Sequence, residues 1–180
     1  MVVTQVAYEV EGWGVGELVV SDGLVVWHEL PWPRGRGPDE PSQTPSHPGP
    51  GPVVSREPSR GSGDFATEVI QRIERYFGGE RSALDDVPVD LEYETPFLHS
   101  CAVALRAVPP GEVVTYGEFA ALAGAPNAAR AAGSFCARNR LGLFVPCHRV
   151  VGAGSLGSYG SFGLEYKRRL LALEGYPGAL

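Results

Sequence analysis

Lysine is almost missing from this chain: of 15 cationic residues, 14 are arginine and only Lys167 is lysine, a bias that genomic base composition alone can produce. Cysteine is sparse too. Cys101, Cys136 and Cys147 are odd in number and lack Cys-x-x-Cys spacing, which argues against a disulfide framework and a structural zinc site and fits a reducing cytoplasm. No stretch approaches the roughly 18 apolar residues of a membrane span. The start, Met1 to Val10, alternates polar and apolar residues and lacks the basic opening and unbroken apolar run of a signal peptide. His28, His47 and His99 are scattered, so no catalytic metal is expected, and packing or solvent roles are expected for each. A chain of 180 residues accommodates one domain or two small ones without covalent staples.

The net charge of -6 counts against a nucleic-acid binder until its distribution is considered. Residues 1–95 carry 7 Arg/Lys against 17 Asp/Glu, whereas residues 96–180 carry 8 against 4. The C-terminal half alone is basic, which suits phosphate contact and an ordinary solvated surface equally well.

Val2 to Val10, Gly12 to Val20 and Leu24 to Leu30 read as three strands, the last two joined by a Ser21-Asp22-Gly23 turn. Pro31 to Gly63 is rich in Pro, Gly, Ser and Arg without apolar periodicity and reads as a disordered excursion. From an N-cap at Asp64, the residues Phe65, Val69, Ile73, Tyr76 and Phe77 recur at helical spacing until Gly78-Gly79. Val87 to Tyr93 reads as a further strand. A second unit starts at Thr95-Pro96, a cap followed by a favoured first-turn proline, with Phe97, Leu98, Cys101, Leu105 and Val108 on one face. Thr115-Tyr116-Gly117-Glu118 fits a capping box, so a short helix is expected from Tyr116 to about Ala123, another from near Pro126, and a last one from Leu164 to Leu173. Two short helices around a glycine turn outline a helix-turn-helix. The expected fold is therefore an α/β N-terminal unit, residues 1–94, followed by a mostly helical C-terminal unit, residues 95–180.

Cys147 interrupts the apolar run Leu143-Phe144-Val145-Pro146-Cys147-His148-Arg149-Val150-Val151. A thiol beside His and Arg is placed where a thiolate is favoured, which points to a nucleophile, although a lone Cys-His pair is more often a buried inert thiol. Gly152-Ala153-Gly154-Ser155-Leu156-Gly157 matches GxGxxG, but no helix is expected at Gly157 and no second strand follows, so a dinucleotide site is rejected.

Pro146-Cys147-His148-Arg149-Val150 resembles the active-site pentapeptide of the O6-alkylguanine-DNA alkyltransferases. The resemblance extends through Pro96-Phe97, Gly111 to Glu118, Ala129-Arg130-Ala131-Ala132-Gly133, Arg138-Asn139 and Leu170 to Gly175, about residues 95–175. It implies stoichiometric transfer of an alkyl group from guanine O6 in double-stranded DNA to Cys147, by a monomer, with no organic cofactor. It further implies that His148, through a water held with Glu174, takes the thiol proton, that Asn139 braces the turn, and that Tyr116 donates a proton and displaces the target phosphate. Arg130 would fill the stack vacated by the flipped nucleotide, on a helix whose Ala129 and Ala131 permit close approach to DNA. Val150 would offer its carbonyl to the guanine amine, and Tyr159 would stack near the base. Gly160 and Ser161 stand where the family usually has a serine and a glycine, leaving open which amide meets O6. Taken singly, each of these residues also fits an ordinary cap, turn or surface role. Two rivals remain: a non-transferring damage sensor, which Cys147 disfavours, and a helix-turn-helix regulator, which the alanine-rich second helix disfavours for want of base-reading side chains.

Overall fold

A computed structural model describes residues 3–33 and 60–178. The chain forms two compact units, Met1–Asp90 with Arg140–Phe144, and Leu91–Asn139 with Val145–Leu180. The sequence by itself draws one boundary, after residue 94, and gives no sign of the return at 140–144.

In the first unit β1 (Val3–Val10), β2 (Gly14–Ser21) and β3 (Leu24–Trp32) form an antiparallel meander in sequential order. Asp22 and Gly23 both take positive φ, 50° and 78°, the two-residue hairpin turn whose twist suits the flanking strands. β2 starts at Gly14 rather than Gly12 because the chain is still turning there. Gly14 has φ 109°, and a Cβ on it would lie 1.5 Å from the Trp32 carbonyl oxygen. Trp32 pairs with Val15, so Pro31 and Trp32, expected to lie in the excursion, belong to β3. At the other end of the segment read as an excursion, α1 runs Arg60–Phe77 and places Asp64 inside the helix, not at its cap. Gly61 and Gly63, which fall in the segment read as the excursion, are tolerated in a helix at about 1 kcal/mol each relative to alanine. The rest of the expected excursion, with His47, lies outside the described residues. Ala66, Val69, Ile73, Tyr76 and Phe77 form the buried stripe of α1, which packs on β1 and β2, with Phe77 4.7 Å from Trp13 between ring centres.

The strand expected over Val87 to Tyr93 reduces to a single bridge between Val25 and Val89. Pro88 has no N–H to continue a ladder; its carbonyl accepts from Val25 N–H at 3.0 Å. Segment 140–144 joins this unit through Arg140, which donates to the Val26 carbonyl (2.6 Å) and the Asp90 carboxylate (3.2 Å). His28 is buried at its centre. Because a carbonyl only accepts, His28 Nδ1 must donate to Gly142 O (2.6 Å), leaving Nε2 to accept from the Tyr8 hydroxyl (2.5 Å).

In the second unit α2 (Pro96–Arg106) starts on Thr95, whose hydroxyl accepts from Leu98 N–H. Cys101, Ala102 and Leu105 are its buried face. β4 (Val114–Thr115) pairs in parallel with β5 (Val150–Val151), two residues each and too short to announce themselves by alternation. α3 (Tyr116–Leu122) carries the complete Thr115/Glu118 capping box. α4 (Ala129–Ala137) packs on α3 but starts three residues beyond Pro126, because residues up to Ala128 still turn, with Ala128 N–H bonded to Ala125 O at 2.9 Å. α5 (Gly163–Leu173) closes at Gly175, φ 78°.

Burial pushes the His28 pKa down from 6.5 to about 4, against the opposing pull of its bond to Gly142. An unfolded chain takes up a proton below 6.5 that the fold refuses until about 4, so stability falls as pH drops through that window, by about 3 kcal/mol from this group. Urea denaturation of wild type and His28→Gln at pH 7 and pH 4.5 should give a variant weaker at pH 7 yet less sensitive to acid. Parallel profiles would refute the assignment.

Candidate active site

Pro146 follows the turns at residues 142–145, where Leu143 takes φ 68°, and Cys147–Arg149 form one 3-10 turn. The Val145 carbonyl anchors that turn from both sides. It accepts the Cys147 N–H at 2.9 Å and the Asn139 side-chain amide at 2.7 Å. Cys147 stays half-buried while His148 and Arg149 turn into the core.

Glu174, at the C-terminus of α5, is fully buried. Its Oε1 accepts from His148 Nε2 (2.8 Å) and Arg149 Nη2 (2.7 Å), and its Oε2 from Arg149 Nε (3.0 Å) and Gly111 N–H (3.4 Å). The remaining arm of Arg149 donates to Val108 O at 2.5 Å. Gly111 is required there: its φ is 82°, and a Cβ would sit 2.9 Å from the Glu174 carbonyl.

The charges sort themselves by these contacts. Burial alone would raise the Glu174 pKa, but His148 and the two Arg149 bonds hold it well below the usual carboxylate range. Burial lowers the His148 pKa despite the neighbouring carboxylate. An ionised carboxylate only accepts, so His148 carries its hydrogen on Nε2 and Nδ1 keeps a lone pair. That Nδ1 is buried with no hydrogen-bond partner among the described residues.

Burial also raises the Cys147 pKa, with Asn139, Lys167 and Tyr159 pulling the other way. The expectation that neighbouring His and Arg favour a thiolate is therefore corrected. Arg149 is committed to Glu174 and Val108, His148 is neutral, and the resting group is a thiol.

Tyr116 is half-buried at the start of α3. Its ring lies between two glycines: a Cβ on Gly133 of α4 would meet it at 3.6 Å, and one on Gly157 at 3.0 Å. Arg130 and Ala131 are exposed on the first turn of α4, Ala129 half-exposed. Val150 is buried, and Gly160 is exposed with φ 48°. Tyr159 is buried in an aromatic group, its ring centre 5.9 Å from Phe162 and 6.3 Å from Tyr166.

Asn139, Cys147, His148 and Glu174 thus form one connected site, with Tyr159 beside the thiol, while Arg130 stands apart on the surface of α4. Sequence reasoning missed two residues. Arg149 was in view within the pentapeptide, but nothing in its spacing tied it to Glu174. Lys167 was visible as the chain's one lysine; it is fully buried, and only its contacts show why.

Residues 96–176 match the family described as 6-O-methylguanine DNA methyltransferase, DNA binding domain. A methylated-DNA–protein-cysteine methyltransferase of Methanosarcina acetivorans is 46% identical over 114 residues, 62% of this chain and 70% of the relative. Its counterpart in Mycobacterium leprae is 43% identical over 125 residues, 66% and 73% of the two chains. Among solved structures, Mycobacterium tuberculosis OGT in complex with DNA aligns with a TM-score of 0.73 at 31% identity, covering 95% of this chain and 92% of that one. The O6-methylguanine-DNA methyltransferase of Pyrococcus kodakaraensis aligns with a TM-score of 0.62 at 25% identity, covering 96% and 99%. With relatives this similar over most of their length, the chain belongs to the methylated-DNA–protein-cysteine methyltransferase family.

Proposed function

We propose that the protein repairs O6-alkylguanine in double-stranded DNA by moving the alkyl group onto Cys147, once per molecule. The observation that carries this reading is a half-buried thiol in one hydrogen-bonded cluster with a neutral, Glu174-bound histidine. Sulfur attacks the alkyl carbon, an S–C bond forms and the C–O6 bond breaks. A water relays the thiol proton to Nδ1 of His148, and the resulting imidazolium is stabilised by Glu174, which holds Nε2 directly. Tyr116 supplies a proton to the departing guanine, and the proton held on His148 then returns through solvent to the Tyr116 phenolate, so the net transfer is from sulfur to base. The product is a thioether that water does not readily cleave, which makes the reaction stoichiometric. Sulfur and a protonated leaving group suffice for this step, so it calls for neither metal nor organic cofactor. Asn139 braces the turn, the Val150 carbonyl faces the guanine amine, and the backbone around Tyr159 and Gly160 borders the base.

The basic C-terminal unit and the α3–α4 pair support duplex binding by that unit, with α4 entering a groove, Ala129 and Ala131 close to the backbone and Arg130 filling the emptied stack. The protein acts as a monomer in the cytoplasm on this reading; no helix among the described residues is long and apolar enough to cross a membrane.

Mass spectrometry after incubation with an O6-methylguanine duplex tests the acceptor. The peptide bearing Cys147 should gain one methylene, and those bearing Cys101 and Cys136 should not, because all three rest as thiols with burial raising each pKa and Cys147 is the one joined to the His148–Glu174 pair that accepts its proton on this reading. Label on either of those cysteines refutes the assignment. No label on any cysteine returns the protein to the sensor or regulator class.

Arg130→Ala should slow repair of duplex DNA far more than reaction with a free O6-alkylguanine base, which has no stack to leave. Each ~1.4 kcal/mol withdrawn from the extrusion step slows a flipping-limited reaction about tenfold. Equal slowing of both substrates, normalised to folded protein, removes Arg130 from that role.

A further inference from the structure

Leu143 takes φ 68° although it is neither glycine nor at the surface. A non-glycine residue stays in the left-handed region only when its surroundings hold it there, and Leu143 lies in the loop Arg140–Phe144. The loop is closed at its neck, where the Asn139 side-chain amide donates to Val145 O at 2.7 Å. That same carbonyl takes the Cys147 N–H at 2.9 Å. The neck of the loop is thus the anchor of the turn that carries the thiol, and only Val145 and Pro146 separate Phe144 from Cys147.

One residue of β3 grips the body of the loop in three ways. His28 N–H donates to Arg140 O at 2.9 Å, beside a parallel bridge between His28 and Leu141. Its Nδ1 donates to Gly142 O at 2.6 Å, and its ring meets Phe144 edge-on with centres 5.2 Å apart. Gly142 and Phe144 are the chain neighbours of Leu143, so a single imidazole pins the strained residue on both sides.

The imidazole can do this in only one tautomer. Burial brings its pKa down to about 4, so at pH 7 it is neutral and has one N–H to place. The Tyr8 hydroxyl, 2.5 Å from Nε2, donates to that nitrogen and directs the hydrogen to Nδ1. Tyr8 reaches His28 from β1 across Gly16 of β2, its partner in the sheet, where a Cβ would lie 2.5 Å from the tyrosine hydroxyl. A side chain at position 16 would displace that hydroxyl.

We propose that His28 is a positioning residue for alkyl transfer: from β3 it holds the Arg140–Phe144 loop, and through the neck of that loop the acceptor turn, in the geometry that aims Cys147 at the alkyl carbon. This rests on the alkyl-transfer reading above. His28 touches neither sulfur nor guanine, and Tyr8 serves it by fixing the tautomer. In-line attack tolerates little displacement, since a shift of about 1 Å can cost on the order of a hundredfold in rate.

Two amides that differ in where they place a donor test this role. His28→Asn puts an N–H near the position of Nδ1 and keeps a donor for Gly142 O, whereas His28→Gln puts its amide near Nε2 and leaves that carbonyl without one. Single-turnover transfer at pH 7 is measured per folded molecule, with an O6-methylguanine duplex and with a free O6-alkylguanine base, beside the affinity for undamaged duplex. His28→Gln should be about tenfold slower on both substrates with duplex affinity unchanged, and His28→Asn should recover most of the loss. A wild-type rate for His28→Gln, slowing confined to the duplex, or His28→Asn no faster than His28→Gln overturns the role. If neither amide variant folds, Tyr8→Phe decides, because it keeps both rings and removes only the hydroxyl that sets the tautomer. Transfer about threefold slower on both substrates is then expected, and the wild-type rate overturns the role. A wild type that methylates no cysteine overturns the alkyl-transfer reading itself, whereas transfer indifferent to His28 and Tyr8 overturns only this role.

Discussion

The buried pairing of Arg149 with Glu174 is the constraint on which the active site depends. A carboxylate taken fully out of water is tolerable only if its charge is balanced and its oxygens are satisfied. Arg149 does both, with two bonds at 2.7 and 3.0 Å. Because the arginine neutralises Glu174, the carboxylate does not need a proton on His148, and burial leaves the imidazole neutral. The tautomer then follows from the acceptor-only character of Glu174. The turn that exposes Cys147 is fixed by the same arrangement, since the two residues after the cysteine are both tied to the end of α5. Removing either member of such a pair strands its partner, a loss typically of about 3–5 kcal/mol, so fold and chemistry are coupled at this point.

Around this rigid centre the substrate-facing parts are built from residues with little or no side chain. Gly133 and Gly157 hold the Tyr116 ring between α4 and the loop, and α4 offers small residues near Arg130. The structure is stiff where protons move and spare where a nucleotide has to fit.

Much of this was legible in the sequence, and the exceptions have physical reasons. The meander, the Thr95 cap, the Thr115/Glu118 capping box and the close of α5 at Gly175 are local, each declared by a few neighbouring residues. The helix starts were less so: glycines mask the first turn of α1, and α4 begins on Ala128 without a side-chain cap. The β4–β5 pairing and the return of Arg140–Phe144 to the first unit depend on partners far along the chain. No periodicity encodes a two-residue strand or an arginine bonded to Val26. The site divides in the same way. Cys147 and His148 stand in a short motif, but Arg149 acquires its meaning only from Glu174, and Lys167 only from three carbonyls upstream of it.

The raised pKa of Cys147 has a consequence for the protein between lesions. A molecule that can react only once is lost if its sulfur meets a peroxide or a stray electrophile first, and it is the thiolate that such reagents attack. Keeping the group protonated in a half-buried turn lengthens the shelf life of a single-use reagent. On the proposed mechanism the proton leaves when an alkyl carbon is held in line and His148 can receive it, so the cost of slow intrinsic reactivity is borne when a target is already bound.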